Sequence, residues 1–293
     1  MSDHIVTAIA PGVRLVAAIT TAVTEEARTR HHCSPLATAA LGRTMTAALL
    51  LAETLKGDEC ITVRLSGDGP LGDVVGDTPS RHCVRGYVHN PAADLPAVNG
   101  KLPVGQGIGQ GMLHVTRFNP QREVFTGTVE LVSGEVAEDV TRYLLDSEQI
   151  PSTVGLGVLV GTDGQVEGAA GFLVQALPDA QEPVLGAIEK NLVLVSAPSQ
   201  LASEGVTAAG IIRLLLAGIE DSTVYEPEPL TFSCTCSRQR VVAMINSLGE
   251  AELAAMLKDG QAEIRCNFCN ELYRLDSLEL MRIQAAKKEK PAE

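Results

Sequence analysis

The sequence has 293 residues, 45% of them hydrophobic, and a formal net charge of −13. A chain of this length and apolar content suggests two domains, or one with appendages, and excludes wholesale disorder. Its acidity opposes binding to nucleic acid, which depends on clustered Lys and Arg, and with 3% aromatics and no tryptophan the core must be aliphatic.

The opening Met1-Ser2-Asp3-His4 lacks the basic stretch and apolar core of a signal peptide. Leu36–Ala52, the longest apolar segment, carries Arg43 and many Ala and Thr residues, and is too short and too polar for a membrane span. The expected compartment is the cytoplasm, where thiols stay reduced and clustered cysteines denote metal or redox chemistry.

Val13–Val23 has the β-branched content of a strand. Ser34-Pro35 opens a helix, with Ser as N-cap and Pro at the first helical position. Apolar residues continue through Leu51 and Leu55, and Gly57 is the expected stop. A helix of about 21 residues spans roughly 30 Å, and Ala37, Ala40, Ala47 and Ala48 permit close packing on a sheet. Ile61–Ser66 alternates as a strand, Gly67-Asp68-Gly69-Pro70-Leu71-Gly72 turns into Val74-Val75, and Cys83–Val88 is another strand.

The four alternate glycines of Gly105–Gly111 are no nucleotide fingerprint. The G-x-G-x-x-G register fails, and the strand Met112–Phe118 follows where a helix is required. Asn119-Pro120 turns the chain into Val124–Val132 as a hairpin, and Ser133 is placed to cap a helix over Glu135–Ser147, with Glu135, Glu138 and Asp139 in its first turn. Val154–Val160 and Val166–Gln175, joined by Thr162-Asp163-Gly164, form a last hairpin. Residues 1–177 thus read as an α+β domain of antiparallel sheets with a few helices.

A different texture begins at Pro178. From there to Leu230 stand two basic residues, Lys190 and Arg213, against eight acidic ones. Helical patches at Val184–Leu194 and Ala208–Ala217 are interrupted at Ala197-Pro198-Ser199 and Glu226-Pro227-Glu228-Pro229. On composition residues 178–230 read first as an ordinary helical linker, although such a segment could also pack in one state and come loose in another.

The remaining residues, 231–293, carry the sharpest signal: Cys234-Thr235-Cys236 and, after an insert of 29 residues, Cys266-Asn267-Phe268-Cys269. Two close pairs of cysteines suit one tetrahedral four-sulfur zinc site, each pair supplying two thiolates from one turn of backbone. The insert allows a helical excursion over Val241–Ile245 and Glu252–Leu257 around Ser247-Leu248-Gly249, and strands at Ala262–Arg265 and Leu272–Leu275 flank the second pair. A disulfide between residues i and i+2 is near the limit of Cα separation and would exchange readily. A structural zinc is worth about 10–16 kcal/mol to a small module, whereas two local disulfides restrict the unfolded chain by about 3–4 kcal/mol. Exchanging one for the other removes roughly 6–12 kcal/mol, which a core this small does not replace. Oxidation is therefore expected to unfold the module.

Taken together these stretches resemble the heat shock protein 33 family of redox-regulated bacterial chaperones, over nearly the whole chain. The resemblance rests on Arg30-His31-His32-Cys33-Ser34-Pro35-Leu36-Ala37-Thr38-Ala39-Ala40-Leu41-Gly42-Arg43, the Gly67–Gly72 turn, Val84-Arg85-Gly86-Tyr87-Val88 and Leu131-Val132-Ser133-Gly134-Glu135-Val136-Ala137-Glu138-Asp139. Ser147-Glu148-Gln149-Ile150-Pro151-Ser152, Gly171-Phe172-Leu173-Val174-Gln175 and the two cysteine pairs with Ser237-Arg238 complete it. It implies that Cys234, Cys236, Cys266 and Cys269 bind one zinc ion when reduced, and that the protein is then inactive as a chaperone. It further implies that peroxide or hypochlorous acid forms the disulfides Cys234–Cys236 and Cys266–Cys269, unfolding module and linker and exposing apolar surface. That surface would hold unfolding client proteins without ATP, commonly as a homodimer, with no nucleotide, nucleic acid or membrane partner.

Cys33, Cys60 and Cys83 lie outside this pattern, and His31-His32-Cys33 reads as packing at a helix start rather than a metal site. The tail Lys287-Lys288-Glu289-Lys290 is expected to fray. Two other classes compete. A nucleic-acid-binding zinc ribbon is disfavoured because the stretch from Thr231 onward has nine basic and nine acidic residues and no basic face with interleaved aromatics. An enzyme is disfavoured because four thiolates fill the zinc shell and the six scattered histidines suggest no triad.

Overall fold

The chain begins with an antiparallel pair, β1 (His4–Ala10) and β2 (Val13–Ile19). The computed structural model describes residues 2–57, 59–119 and 122–289. The strand expected over Val13–Val23 stops at Ile19, and Thr21 opens α1 (Thr21–His31). The cap of this helix comes from a distant part of the chain: the Asp3 carboxylate accepts the N–H groups of Ala22 at 3.0 Å and Val23 at 2.7 Å. It fills the role that a residue at the helix start plays elsewhere.

Next comes α2 (Pro35–Ala52), started as expected by Ser34, whose hydroxyl accepts the N–H of Ala37 at 3.1 Å, with Pro35 in the first turn. It ends five residues before Gly57. Thr54 and Leu55 instead donate three residues back, to Leu51 and Ala52, tightening the chain away from the helical path. By length and composition α2 is the one described helix that could cross a membrane, yet 83% of it is buried within the protein. It serves as the core helix.

Around it are β3 (Cys60–Gly67), β4 (Val74–Ser80), β5 (Cys83–Val88), α3 (Val104–Ile108), β6 (Gly111–Asn119), β7 (Arg122–Glu130), α4 (Ala137–Asp146), β8 (Ser152–Val160) and β9 (Val166–Ala176). After them follow α5 (Glu182–Leu194), α6 (Pro198–Ser203), α7 (Ala208–Leu215), β10 (Thr223–Val224), β11 (Glu228–Pro229) and β12 (Thr231–Phe232). One sheet has the order β10-β1-β2-β9-β8, with β11 also on β1, and the other β12-β5-β4-β3-β6-β7. Among the described residues the pairings in these two sheets are antiparallel except β12 on β5. Of the expected Asn119-Pro120 turn, Pro120 lies outside the described residues, but the flanking strands do pair, with Met112 opposite Glu130.

Alternation along β2 explains the layering. Val16 and Ala18 face the core built on α2, while Val13, Leu15, Ala17 and Ile19 face a second core with Ile188, Leu201, Ile211, Ile212 and Leu215 of α5–α7. The first sheet is thus buried on both faces, by α2 on one side and the helices of residues 182–215 on the other. Pro198, read as a break, is the first residue of α6, where its missing N–H costs nothing.

The helix expected from Glu135 starts at Ala137, and Ser133 does not cap it. Asp139, fully buried, gathers the preceding loop: its carboxylate accepts N–H groups of Val132 (2.7 Å), Ser133 (3.1 Å), Gly134 (3.2 Å) and Val136 (2.9 Å). Together these hold Val136 at φ +73°, a conformation that β-branched residues avoid.

The chain divides into two compact units, Met1–Ser233 and Cys234–Glu293. The second unit contains α8 (Arg238–Ser247), α9 (Glu250–Asp259), the hairpin β13 (Gln261–Arg265) and β14 (Leu272–Asp276), and α10 (Ser277–Glu289). Its fully packed core is small: Val241, Ile245, Leu253, Ala262, Leu275, Leu280 and Ile283. The tail expected to fray is helical through Glu289, because Leu280 and Ile283 bury one face of α10 and Lys287 Nζ donates to the Leu248 carbonyl. Lys290 lies outside the described residues.

Candidate metal centre

Cys234 and Cys236 lie just before α8, whose first turn is capped by Ser237, the hydroxyl accepting the Arg240 N–H at 3.2 Å. The Arg240 guanidinium reaches back to Thr235 Oγ1 at 2.8 Å, pinning the residue between the two cysteines. The other pair sits in the turn of the β13–β14 hairpin. Cys266 N–H donates to Glu271 O at 2.9 Å and Asn270 N–H to Cys266 O at 2.8 Å, with Asn270 at φ +60°. Arg265 closes the turn by donating to Asn270 O and Oδ1, both at 3.2 Å.

The two turns bring their sulfurs together crosswise. Cys234 Sγ is 3.7 Å from Cys266 Sγ, and Cys236 Sγ is 3.3 Å from Cys269 Sγ. All four lie within 4.8 Å of one another. A tetrahedron with zinc–sulfur arms of about 2.3 Å has edges of about 3.8 Å, so the donor set is of a size to hold one metal ion. Cys269 is buried and the other three are half-buried. Burial raises the Cys266 thiol above its ordinary range and the Cys269 thiol further, where the neighbouring sulfurs add to the effect. Cys266 and Cys269 thus resist ionisation on their own, and a bound cation reverses that balance.

A residue outside the cysteine motif completes the arrangement. Tyr273, on β14, directs its hydroxyl to Cys236 Sγ at 3.1 Å. Neither it nor Arg240 nor Arg265 was singled out by sequence, since no local spacing marks them.

The remaining cysteines join no metal-sized group among the described residues. Cys33 is buried, and burial pushes its thiol up to about 12. The buried Cys60 thiol donates to Pro79 O at 3.4 Å, and Cys83 lies 3.5 Å from Thr231 Oγ1. His31 and His32 join no metal-sized group among the described residues. In the glycine-rich stretch a carboxylate already occupies the backbone: Gly105 N–H donates to Glu135 Oε1 at 2.9 Å, and Arg43 pairs with the same side chain at 2.5 Å. At Gly67 a Cβ would lie 2.0 Å from the Ile108 carbonyl oxygen, so this glycine serves a close approach of two loops.

Comparison with known proteins agrees with this architecture. The family model described as Hsp33 protein matches residues 3–276. A 33 kDa chaperonin of Desulforamulus reducens is 47% identical over 287 residues, covering 97% of both chains. One from Symbiobacterium thermophilum is 46% identical over 295 residues, covering 99% of this chain and 100% of the other. The crystal structure of the 33 kDa chaperonin (heat shock protein 33 homolog) of Thermotoga maritima superposes with a TM-score of 0.90 at 34% identity, over 98% of this chain and 99% of that one. With a match of this extent in motif order, sequence and backbone, the chain belongs to the Hsp33 family of chaperones.

Proposed function

We propose that this protein is a redox-regulated, ATP-independent holdase of the cytoplasm, switched at Cys234, Cys236, Cys266 and Cys269. The observation that carries the reading is the meeting of four sulfurs within 4.8 Å in a unit with only a small core, in a chain of a chaperone family. Zinc is the metal this donor set fits best, since four thiolates in a tetrahedron are its preferred structural site. When bound, it supplies a cation that keeps the four sulfurs ionised and links the turn before α8 to the β13–β14 turn.

The residues themselves perform the switch. A thiolate attacks the peroxide O–O bond, forming S–OH and releasing hydroxide, which takes a proton to become water. A second thiolate then displaces the hydroxyl, so each disulfide consumes one peroxide and two protons and yields two waters. With Cys234–Cys236 and Cys266–Cys269 joined, no thiolate is left to hold the metal. Two short loops replace a link between turns 32 and 33 residues apart, and a free energy of roughly 6–12 kcal/mol is lost. Residues 231–293 then unfold.

Residues 178–230 follow as the linker, leaving residues 1–177 as the folded domain. The helices α5–α7 cover an aliphatic sheet face that includes Val6, Val13, Leu15, Ile19 and Val174. Uncovered, that face offers unfolding client proteins a large apolar surface, and two copies a means to dimerise. Nothing in this cycle requires a nucleotide, a nucleic acid or a membrane.

The test follows zinc release (with a chromogenic chelator) and suppression of client aggregation in one sample under peroxide at mild heat. A joint rise that thiol reductant reverses supports the switch. Zinc release without holding activity would make the centre a structural staple.

A further inference from the structure

We propose that Tyr273 is a positioning residue of the metal centre. By donating its hydroxyl hydrogen to Cys236 Sγ from a ring packed against the core of its unit, it holds that sulfur in the ligand set and slows its attack on peroxides. The inference rests on the switch reading above and deepens it.

Three observations converge. First, the tyrosine oxygen lies 3.1 Å from Cys236 Sγ. Toward a thiolate, which carries no hydrogen, the phenol can only donate. Second, the position of the hydroxyl is imposed by the fold. Tyr273 pairs with Ile264 across the hairpin, shares the face of β14 that carries the buried Leu275, and packs against the core of the unit. Third, the two turns hold their sulfurs differently. In the Cys-x-x-Cys turn, Cys266 Sγ accepts from the backbone N–H groups of Cys269 and Phe268, and Cys269 Sγ from that of Glu271. At Cys236, in the tighter Cys-x-Cys turn, a side chain from another element donates.

A hydrogen bond donated to a thiolate draws charge from the sulfur lone pair that must attack the O–O bond. The oxidised sulfur loses two electrons to the peroxide, one oxygen stays on sulfur and the other leaves as hydroxide. Removing the donor raises the energy of the lone pair and frees the sulfur to turn outward. Because the half-buried ring packs against the core, the same bond ties the ligand turn to the packing of β14.

The experiment uses the full-length chain, loaded with zinc or with cobalt(II) as a spectroscopic stand-in, as wild type, Tyr273→Phe and Tyr273→Leu. Phenylalanine keeps the ring and loses only the hydroxyl. In Y273F a single cobalt still binds, its thiolate-to-cobalt absorption shifts to longer wavelength, and peroxide releases zinc roughly tenfold faster, as expected for loss of one charge-assisted hydrogen bond. Cys236 is also alkylated faster than in the wild type. Y273L shows the same changes and a lower unfolding temperature for the unit. A Y273F variant with the wild-type absorption and release rate overturns the proposal, whatever its stability, because the ring would then be core packing alone. Slower release also overturns it. Wild type that binds neither metal overturns the switch reading itself, a result distinct from unchanged behaviour in Y273F.

Discussion

Cys236 and Cys269 are 33 residues apart in the chain and place their sulfurs 3.3 Å apart. This contact, with that of Cys234 and Cys266 at 3.7 Å, joins a turn before a helix to the turn of a hairpin. On the proposed zinc reading, Cys236→Ser or Cys269→Ser removes one ligand and should abolish tight metal binding. Amide exchange should then accelerate throughout α8–α10 by several orders of magnitude, because zinc in such modules contributes about 10–16 kcal/mol. The α2 amides should remain protected. Exchange measured by mass spectrometry with and without chelator checks both statements.

Ile211 and Leu215 of α7 are fully buried against the first sheet. Leu215→Ala should cost about 2–5 kcal/mol at that contact, loosening α5–α7 before the sheets. An environment-sensitive dye should then bind without any oxidant, and client aggregation should be partly suppressed in the reduced, metal-loaded protein. Dye binding that still requires peroxide would show that these helices do not guard the surface.

Glu148 accepts a hydrogen bond from Tyr143 at 2.5 Å and pairs with Arg117. Burial by itself would raise this carboxyl, but the Arg117 and Tyr143 donors outweigh it and hold it below its ordinary value of 4.5. A depressed folded value means stability that is complete above about pH 4.5 and lost as pH falls through the lower folded value. Glu148→Gln should lower stability at neutral pH by about 1–3 kcal/mol and flatten the decline below pH 4.5. Denaturant titrations between pH 3 and 7 test the sign.

Asp139 holds four backbone N–H groups while fully buried. Asp139→Ala leaves all four without this acceptor, and Val136 without the bond that keeps it at positive φ. A loss of about 3 kcal/mol or more is expected, since each orphaned buried donor costs about 1–3 kcal/mol. Asp139→Asn keeps one acceptor oxygen and should cost less. Thermal unfolding of the two variants gives the order.

The local rules succeeded where both partners of an interaction are near in sequence. Ser34-Pro35 marked the start of α2, Thr162-Asp163-Gly164 a hairpin, and the spacing of the cysteine pairs a four-sulfur set, because caps, tight turns and metal knuckles are built within a few residues. They failed where the partner comes from elsewhere. The α1 helix is capped by Asp3, which lies just before β1, so Val13–Val23 read as a strand throughout. Ser133 looked like a cap, but Asp139, reaching back from inside the helix, takes the loop N–H groups and moves the start to Ala137.

Residue order alone reveals the donor set and the family's motifs. Four of seven cysteines in two close pairs, an acidic aliphatic chain and a continuous order of motifs are properties of the string of residues. Three-dimensional packing adds that the sulfurs meet crosswise, that the helices of residues 182–215 form the second cover of a sheet, and that Tyr273 touches Cys236. Each of these depends on which distant surfaces pack together, and packing is governed by the shape and burial of whole faces, which no short spacing encodes.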